Sequence, residues 1–459
     1  MGRAVDTIAA VATAPVEAGI GVVRISGPEA LRVGDRAFRP RRGRPLSERR
    51  SHSVAYGWVV NTDGHRVDEA LALVMLGPHS YTGEDVVELQ CHGGAVAVRR
   101  VLEVALEAGA RLAEPGEFTR RAFLNGRIDL SQAEAVVEVI RAKTDRAMEA
   151  AVRQLEGSFS HAIREVRERL LGVAAQLEAE IDFPELELET ESREALLEGC
   201  SWSLERIGVL LRNVRRGDLL RNGLRVVLAG RPNVGKSSLL NRLVGKDRAI
   251  VTAVPGTTRD VIEEWVSLGG VPVLYADTAG IRETEDEVER FGVDRSREML
   301  RRADLILWVV DAGSGLTAED LALREQLPSS KPVIGVLNKT DLVDPAALDA
   351  LAAELKGLRL IQVSALSGAG IEELERAVLE EAGALDMEEG FVATERQGDA
   401  LRRAADALRS ALATAEAGYG PDLISVDVRA AWSALGEITG DTVDEDLLDQ
   451  IFSRFCIGK

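Results

Sequence analysis

The spacing of hydrophobic residues divides the chain into four regions. Residues 1 to about 125 alternate short apolar runs with turn signals, a pattern typical of strands. A longer apolar run at Ala95–Ala108 has helical spacing instead. Together these runs predict an α+β domain. The predicted strands are Thr7–Ala12, Gly21–Ile25, Val54–Val60, Ala70–Leu76 and Val86–Cys91.

From Leu130 the apolar residues recur every three or four positions, which indicates helices. The clearest stripe predicts one long helix that ends at Asp182-Phe183-Pro184, because a proline disfavours helical backbone in the residue before it. The acidic run Glu185–Glu191 predicts an exposed linker, and another helix is expected over about 193–220. The stripe consists of Phe159, Ile163, Val166, Leu170, Val173, Leu177 and Ile181.

Between about 222 and 383, strand-like runs alternate with helical ones. This alternation predicts a doubly wound α/β domain with a largely parallel sheet. Gly269-Gly270 predicts a hairpin between two of the strands. The predicted strands cover 224–229, 261–268, 271–276, 305–310, 333–337 and 360–363.

Helical spacing returns after about residue 385, beginning with a stripe from Leu401 to Ala415. The simplest architecture is a helical domain interrupted by the α/β domain. The predicted domains are therefore 1–125 (α+β), 126–221 (helical, first part), 222–384 (α/β) and 385–459 (helical, second part).

Composition narrows the class of protein. The 459 residues are 46% apolar and carry a net charge of −19. Packed cores are expected, whereas a general nucleic-acid coat is not, although local basic patches stay possible. The arginine-rich segment Arg39–Arg50 is interpreted as a solvated surface loop, with an RNA-facing loop as the alternative.

The three cysteines, Cys91, Cys200 and Cys456, are too far apart in sequence for a disulfide framework or a Cys-cluster metal site. Few cysteines without a disulfide framework are typical of a protein in a reducing compartment. The N-terminus lacks the apolar core of a signal peptide, and no apolar run approaches the roughly 18 residues of a membrane span. The sequence therefore predicts a cytoplasmic protein without a membrane segment.

Gly230–Ser237 fits the phosphate-loop pattern G-x-x-x-x-G-K-[ST]. A strand-like run precedes it and a helical run follows, which is the context that the motif requires. Backbone N–H groups and the helix N-terminus would face one anion. Lys236 would reach the β- and γ-phosphates, and the Ser237 hydroxyl would bind Mg²⁺.

Four further motifs lie after the phosphate loop in the chain, and three of them are at strand ends. Asp277-Thr278-Ala279-Gly280 suits the magnesium shell and the γ-phosphate. Asn338-Lys339-Thr340-Asp341 places a carboxylate that can accept two hydrogen bonds from guanine, which adenine cannot offer. Ser364-Ala365-Leu366 would complete the base pocket, and Thr257-Thr258 offers a hydroxyl for Mg²⁺. Together the motifs predict GTP binding.

The residue after Gly280 is Ile281, so the glutamine that positions water in Ras-type enzymes is missing there. Another residue must orient the water, and another cation must neutralise the developing charge. The acidic run from Glu283 to Glu289 offers carboxylates, and the residues alone do not choose among them.

At this point the whole chain resembles the family of tRNA modification GTPases named MnmE or TrmE. The motifs that carry the resemblance are Gly256-Thr257-Thr258-Arg259-Asp260, Asp182-Phe183-Pro184, Cys456-Ile457-Gly458-Lys459, Gly21–Gly27, Tyr81–Asp85 and Pro115–Thr119. The resemblance implies a P-loop GTPase domain inserted into a helical domain. It also implies that residues 1–125 bind folate and form a constitutive dimer contact.

The resemblance implies a potassium ion in place of an arginine finger. Its ligands would be Asn233 and the loop residues Thr252, Val254 and Thr257. The catalytic carboxylate would be Glu289, within Asp286–Arg290, and Asn233 would join it in catalysis.

Four residues would bind 5,10-methylene- or 5-formyl-tetrahydrofolate by the same resemblance: Arg24, Glu84, Arg127 and Lys459. Family members often carry Lys where this chain has Arg127, so charge is kept while geometry differs. Mg²⁺ would be held by Ser237 and Thr258. The predicted GTP contacts are Asn233, Val234, Gly235, Lys236, Ser237, Ser238, Thr252, Ala253, Val254, Pro255, Gly256, Thr257, Thr258, Asp277, Thr278, Ala279, Gly280, Asn338, Lys339, Asp341, Ser364, Ala365 and Leu366.

The implied function is that of a potassium-activated GTPase. With a flavin-dependent partner resembling MnmG, in a heterotetramer, it would help to add a 5-carboxymethylaminomethyl group to the wobble uridine of certain tRNAs. One alternative is a ribosome-assembly switch of the Era kind, which shares the GTPase motifs. Another is a folate-dependent one-carbon transferase with a regulatory GTPase insert.

Overall fold

The computed structural model describes residues 6–183, 190–248, 263–277, 298–384 and 393–458. The chain forms two compact units. Unit 1 comprises Met1–Val137, Leu155–Leu204 and Asp399–Lys459, and unit 2 comprises Glu138–Gln154 and Glu205–Gly398. Unit 2 thus holds all of 222–384 together with two helical stretches. The predicted domain boundaries divide the chain differently and stay a prediction.

The described helices lie where the sequence predicts helical texture, with additional short ones. In chain order they are α1 Ala30–Ala37, α2 Ala95–Glu107, α3 Glu117–Leu124, α4 Leu130–Arg141, α5 Asp145–Leu155, α6 Ser158–Asp182, α7 Thr190–Asn222, α8 Lys236–Arg248, α9 Ala318–Gln326, α10 Pro345–Glu354, α11 Ile371–Glu381, α12 Glu395–Glu416, α13 Pro421–Thr439 and α14 Glu445–Phe452. Nowhere in the described parts of the chain is a helix both long and apolar enough to span a membrane.

Unit 1 contains a seven-stranded sheet in the order β3-β4-β5-β6-β2-β1-β7. Its pairs are antiparallel except β1 with β7. The five predicted strands and α2 are confirmed. The strands β3 and β7 were missed because they are too short to show a period, and α1 was missed because its buried residues, Ala30, Val33, Gly34 and Ala37, are mostly small. The strands are β1 Ile8–Val11, β2 Ala18–Ser26, β3 Phe38–Pro40, β4 Ser53–Val60, β5 Arg66–Met75, β6 Val86–Gly93 and β7 Arg111–Leu112.

The helical part of unit 1 confirms the predicted stripe on α6. Phe159, Ile163 and Leu170 are fully buried, while Ile181 at the end of the stripe is partly exposed. The helix ends at Asp182, as the following Phe183-Pro184 predicts. Residues 184–189, which hold most of the predicted acidic linker, lie outside the described residues, and α7 already begins at Thr190.

Unit 2 contains a six-stranded sheet in the order β13-β12-β11-β8-β10-β9. All pairs are parallel except β9 with β10, which form the predicted hairpin through Gly269-Gly270. The carboxyl ends of β8, β10, β11 and β12 therefore meet at one edge, where such sheets bind ligands. The strands are β8 Leu224–Ala229, β9 Glu263–Leu268, β10 Val271–Asp277, β11 Leu305–Asp311, β12 Val333–Asn338 and β13 Arg359–Gln362.

Candidate nucleotide-binding site

The phosphate loop joins β8 to the N-terminus of α8. Its backbone is left-handed at Asn233 (φ +64°) and Gly235 (φ +93°). A Cβ at Gly235 would lie 2.4 Å from Asn338 Nδ2, so side-chain bulk and backbone conformation both exclude other residues there. The chain turns tightly enough to present consecutive backbone N–H groups at the start of a helix, which is an anion site.

The side chain of Lys236 folds back onto the phosphate loop. Its Nζ donates hydrogen bonds to the carbonyl oxygens of Gly230 (2.7 Å) and Arg231 (2.9 Å). The residue is only 4% exposed. Burial lowers the pKa of Lys236, and the nearby Asp277 carboxylate opposes that shift without cancelling it. A phosphate oxygen would supply this buried cation with a direct counter-charge.

A hydroxyl and a carboxylate meet beside the loop. Ser237 Oγ donates to Asp277 Oδ2 at 2.8 Å. Asp277 ends β10 and is 2% exposed. Hydroxyl and carboxylate oxygens are ligands that Mg²⁺ uses, usually with substrate phosphates and waters, so the pair fits that ion. Within the described residues there is no cluster of three or more His, Cys, Asp or Glu side chains that could form a separate protein-only metal site.

Asn338 ties the phosphate loop to the base-recognition loop. Its Nδ2 donates to the Val234 carbonyl at 2.9 Å, and its Oδ1 accepts from the Ala365 amide at 3.1 Å. The side chain is buried. Its role is therefore to hold two loops in register, beyond any contact with the base.

Lys339 also links the phosphate loop to the loop that follows β12. Its backbone conformation is left-handed (φ +64°). Its Nζ donates to the Asn233 carbonyl at 2.8 Å and to Asp311 Oδ2 at 2.7 Å. Burial raises the pKa of Asp311 and the Lys339 ammonium lowers it, and the net shift is downward. The lysine stem is thereby fixed where it can lie against a planar base.

Asp341 stands exposed at the end of the base-recognition loop. Its Oδ1 accepts a hydrogen bond from Ser364 Oγ at 2.5 Å. Arg242 of α8 holds the neighbouring loop by donating to the carbonyls of Ala365 (3.2 Å) and Leu366 (2.7 Å). The carboxylate is thereby oriented, and it can still accept hydrogen bonds from the N–H edge of guanine.

Sequence reasoning missed two side chains of this edge. Asp311 ends β11 and anchors Lys339, and the strand-end rule that found Asp277 could also have found it. Arg231, inside the phosphate loop, forms a salt bridge with buried Asp320 (3.2 Å) and hydrogen-bonds Ser314. No sequence signal predicts that pair.

Not all of the predicted site residues fall within the described ranges. Ser238 is described, as an exposed residue in the first turn of α8. The residues outside the described ranges are Thr252, Ala253, Val254, Pro255, Gly256, Thr257, Thr258, Thr278, Ala279, Gly280, Glu289 and Lys459.

A second cluster lies in unit 1, where two predicted folate residues flank Tyr81. The guanidinium groups of Arg24 and Arg127 each lie 5.1 Å from the Tyr81 ring centroid. Arg24 Nε also donates to Glu88 at 2.8 Å, and Arg127 Nη1 donates to the Tyr81 carbonyl at 3.0 Å. The buried Nη1 of Arg24 has no acceptor among the described residues, so an anionic ligand would satisfy it.

Glu84 is anchored next to this cluster. Its Oε2 accepts from Ser26 Oγ at 2.8 Å and pairs with Arg121 at 3.3 Å. Ser26 lies two residues after Arg24 on β2 and therefore on the same face of the sheet. The last described residue, Gly458, packs against β1, since a Cβ there would lie 2.1 Å from the Val11 carbonyl.

Arg121, missed from the sequence, organises this region from α3. It is 3% exposed, and its Nη2 donates to Asp6 and Glu117, both at 2.8 Å. The hydrogen bond from Arg111 lowers the pKa of Asp6, and the one from Arg121 lowers it further. Burial raises this pKa but does not cancel the effect of the two arginines. For Glu117 burial raises the pKa, but the two arginines outweigh it and the pKa falls.

Replacing Arg121 with Met is expected to destabilise unit 1 by about 3–5 kcal/mol, because the carboxylates of Asp6, Glu84 and Glu117 lose a buried partner. Asp6 and Glu117 have lowered pKa values in the fold. Their stabilisation is therefore present at neutral pH and is lost as the pH falls below about 4.5, the ordinary value for Glu117. Hydrogen exchange of the β1 and α3 amides from pH 7 to pH 3 would measure both effects. Exposed Arg99→Met is the control, and equal protection in the two variants would contradict the prediction.

This fold and the loop set at its sheet edge define a P-loop GTP-binding protein. The family model for the MnmE helical domain matches residues 130–456, and the model for the GTP-binding protein TrmE N-terminus matches residues 7–127. The chain is 63% identical over 454 residues to the tRNA modification GTPase MnmE of Symbiobacterium thermophilum, covering 99% of both chains. It is 52% identical over 467 residues to the protein of the same name from Heliobacterium modesticaldum, again over 99% of each.

The chain therefore belongs to the MnmE family of tRNA modification GTPases. It is a GTP hydrolase with a role in tRNA modification. A solved Aquifex aeolicus Era structure bound to GDP.AlF4⁻ is 29% identical and covers 40% of this chain and 66% of its own, with a TM-score of 0.30. Because the full-length relatives share both flanking regions, the Era-like alternative is less supported than the tRNA role.

Proposed function

We propose that this GTPase is activated by potassium and acts with a flavin-dependent, MnmG-like partner on the wobble uridine of certain tRNAs. The product would carry a 5-carboxymethylaminomethyl group. The observation that supports potassium activation is the position of Asn233. Its left-handed backbone places it at the tip of the phosphate loop, and its carbonyl is held by Lys339. No hydrogen bond joins its side chain to another described residue, so the amide oxygen is available to a cation.

The hydrolytic mechanism follows from the charges around the loop. Lys236 would contact the β- and γ-phosphates, while Ser237 and Asp277 would hold the magnesium shell together with Thr258. Bound Mg²⁺ and K⁺ supply the positive charge that other enzymes of this class take partly from an arginine finger. Asn233, Thr252, Val254 and Thr257 would hold the potassium ion. Since Ile281 cannot orient water, Glu289 is proposed to do so.

Guanine selection would come from the second loop. Asp341, fixed by Ser364, accepts from the base N–H edge, while Lys339 covers one face of the ring. Ala365 and Leu366 would close the pocket on the side that Arg242 holds. Adenine leaves the carboxylate without donors, and an unmatched polar group in a binding site is costly.

The N-terminal cluster is proposed to bind a methylene- or formyl-tetrahydrofolate that supplies the transferred carbon. The unsatisfied Nη1 of Arg24 and the guanidinium of Arg127 suit the carboxylates of the folate tail. Glu84 suits the N–H edge of the pterin, and Lys459 would join from the chain terminus. Two copies of residues 1–125 would form the dimer, and the flavin partner would complete a heterotetramer in the cytoplasm. GTP hydrolysis would drive conformational change and not the transfer itself.

Nucleoside analysis tests this function in cells. In a strain lacking this gene, the 5-carboxymethylaminomethyl-type nucleosides should disappear from tRNA, and the wild-type chain should restore them. The Lys236→Ala variant should restore less than about a tenth, because it loses the phosphate contact. Exposed Arg99→Ala is the control and should behave as wild type. Unchanged nucleosides in the deletion strain would exclude the proposed role.

A further inference from the structure

We propose that one edge of the unit 1 sheet is the surface that contacts tRNA phosphates. The proposal rests on the tRNA-modifying role and adds the place where the RNA docks. The surface consists of β3, the connection from β3 to β4, and the exposed side of β4. Its six arginines, named here the arginine edge, are Arg39, Arg41, Arg42, Arg44, Arg49 and Arg50.

The charge of this segment is opposite to that of the whole chain. Residues 39–50 hold six arginines and one carboxylate, Glu48, in a protein with 75 Asp and Glu residues. Several arginines elsewhere in unit 1 pair with carboxylates, as Arg24 does with Glu88 and Arg99 does with Glu103. None of the six forms a salt bridge with a carboxylate in the described parts of the chain. Their charge is therefore available to phosphates.

The segment is a built loop and not merely a run of solvated charge. Leu46 at its centre is fully buried, and its amide donates to Asp35 Oδ1 at 2.6 Å. Arg49 braces the loop from inside by donating to the carbonyls of Arg44 (3.2 Å) and Arg42 (3.4 Å). Arg42, Arg44 and Arg50 are exposed. A fixed backbone with outward guanidinium groups matches a phosphate chain at a low entropic cost.

The aromatic residues Tyr56 and Trp58 of β4 lie beside the arginines. Arg39 pairs across the sheet with Trp58, and the Arg41 guanidinium lies 5.8 Å from the Tyr56 ring. Arg66 stacks on Trp58 at 4.4 Å, and Tyr56 is 44% exposed. Trp58 is half-buried. Aromatic rings and arginines side by side on a sheet are the groups that bind unstacked bases of single-stranded RNA loops.

The carboxylate of Glu69, next to the two rings, indicates on which side of them the phosphates would lie. Glu69 on β5 pairs with Trp58 and accepts a hydrogen bond from the Tyr56 hydroxyl. It would repel phosphates from its own part of β5, beyond Arg66 at the start of that strand. The phosphate path is therefore placed on the β3 side, along the arginine edge, with bases towards the two rings.

Removing three of the exposed arginines tests the surface. The variant is Arg42→Ser/Arg44→Ser/Arg50→Ser. The matched control, Arg32→Ser/Arg99→Ser/Arg100→Ser, removes the same charge from exposed arginines that are already paired with Glu29 and Glu103. The probe is a transcribed tRNA with uridine at the wobble position, and its affinity is measured by fluorescence anisotropy from 50 to 200 mM NaCl without nucleotide.

The arginine-edge variant should bind at least about tenfold more weakly than the control near 0.1 M salt. Its plot of log affinity against log salt should be shallower by about 2–3, the contribution of three phosphate contacts. GTP turnover without RNA should be unchanged. Equal affinities and slopes in variant and control would overturn the proposal while leaving the tRNA role intact.

Two other outcomes would also overturn it. Light scattering that shows loss of a dimer only in the arginine-edge variant would assign this face to a second copy of the chain. Failure of the wild-type chain to bind the transcript at all would reject both the surface and direct tRNA contact, whereas nucleoside analysis would still judge the proposed function separately.

Discussion

Replacing Asp341 with Asn is expected to change the preferred nucleotide from GTP to xanthosine triphosphate. In the proposed site the Asp341 carboxylate would accept from two N–H groups of guanine, whereas an amide can accept only one and presents N–H groups of its own. Xanthine has a carbonyl where guanine has the amino group, so it accepts what the amide donates. Because a hydrogen-bonding pocket discriminates strongly against a mismatched partner, the ratio of the two affinities should change by about 10³-fold or more.

Fluorescent analogues of both nucleotides would measure the two dissociation constants. Asp344→Asn serves as the matched control, since Asp344 is exposed, lies three residues further on and has no side-chain capping hydrogen bond. The control should keep the wild-type preference. If Asp341→Asn retained full GTP affinity, the assignment of Asp341 to base recognition would be wrong.

The Asn233→Ala variant is expected to lose potassium activation. The substitution removes the proposed amide ligand but leaves Lys236 and Ser237 in place, so GTP affinity should change little. The chemical step should slow by about 10²–10³-fold, the range observed when one preorganised group that stabilises transition-state charge is deleted. Residual turnover should be the same in potassium and sodium.

Single-turnover hydrolysis with saturating GTP separates the chemical step from binding. Asn241→Ala, an exposed asparagine on α8, is the control and should keep the potassium dependence. Wild-type potassium activation in Asn233→Ala would remove Asn233 from the proposed ion site.

The nucleotide site was predictable wherever its chemistry is local in sequence. The phosphate loop is one continuous motif, and Asp277 and Asn338 follow strands whose apolar runs are easily recognised. The contact of Asn338 with Val234 joins residues 104 positions apart, and only the fold brings them together. Asp311 has no motif around it, so only its place at the end of an apolar strand could have indicated it, and that place explains its contact with Lys339.

Unit 1 shows the same division between local and long-range information. Alternating polarity predicts β4 and β5, whereas the three residues of β3 are too few to show a period. In the sequence Arg121 looks like an ordinary surface charge. Its burial depends on Asp6 and Glu84, which lie 115 and 37 positions away, so no local pattern could reveal it.

The GTP turnover of the wild-type chain, measured in potassium and then in sodium at constant ionic strength, tests the central proposal most directly. A cation held by Asn233 beside the transferring phosphoryl group should stabilise the transition state only if its size suits the site. Turnover should therefore rise with potassium to saturation and be at least about tenfold slower in sodium. Equal rates in the two salts would contradict potassium activation.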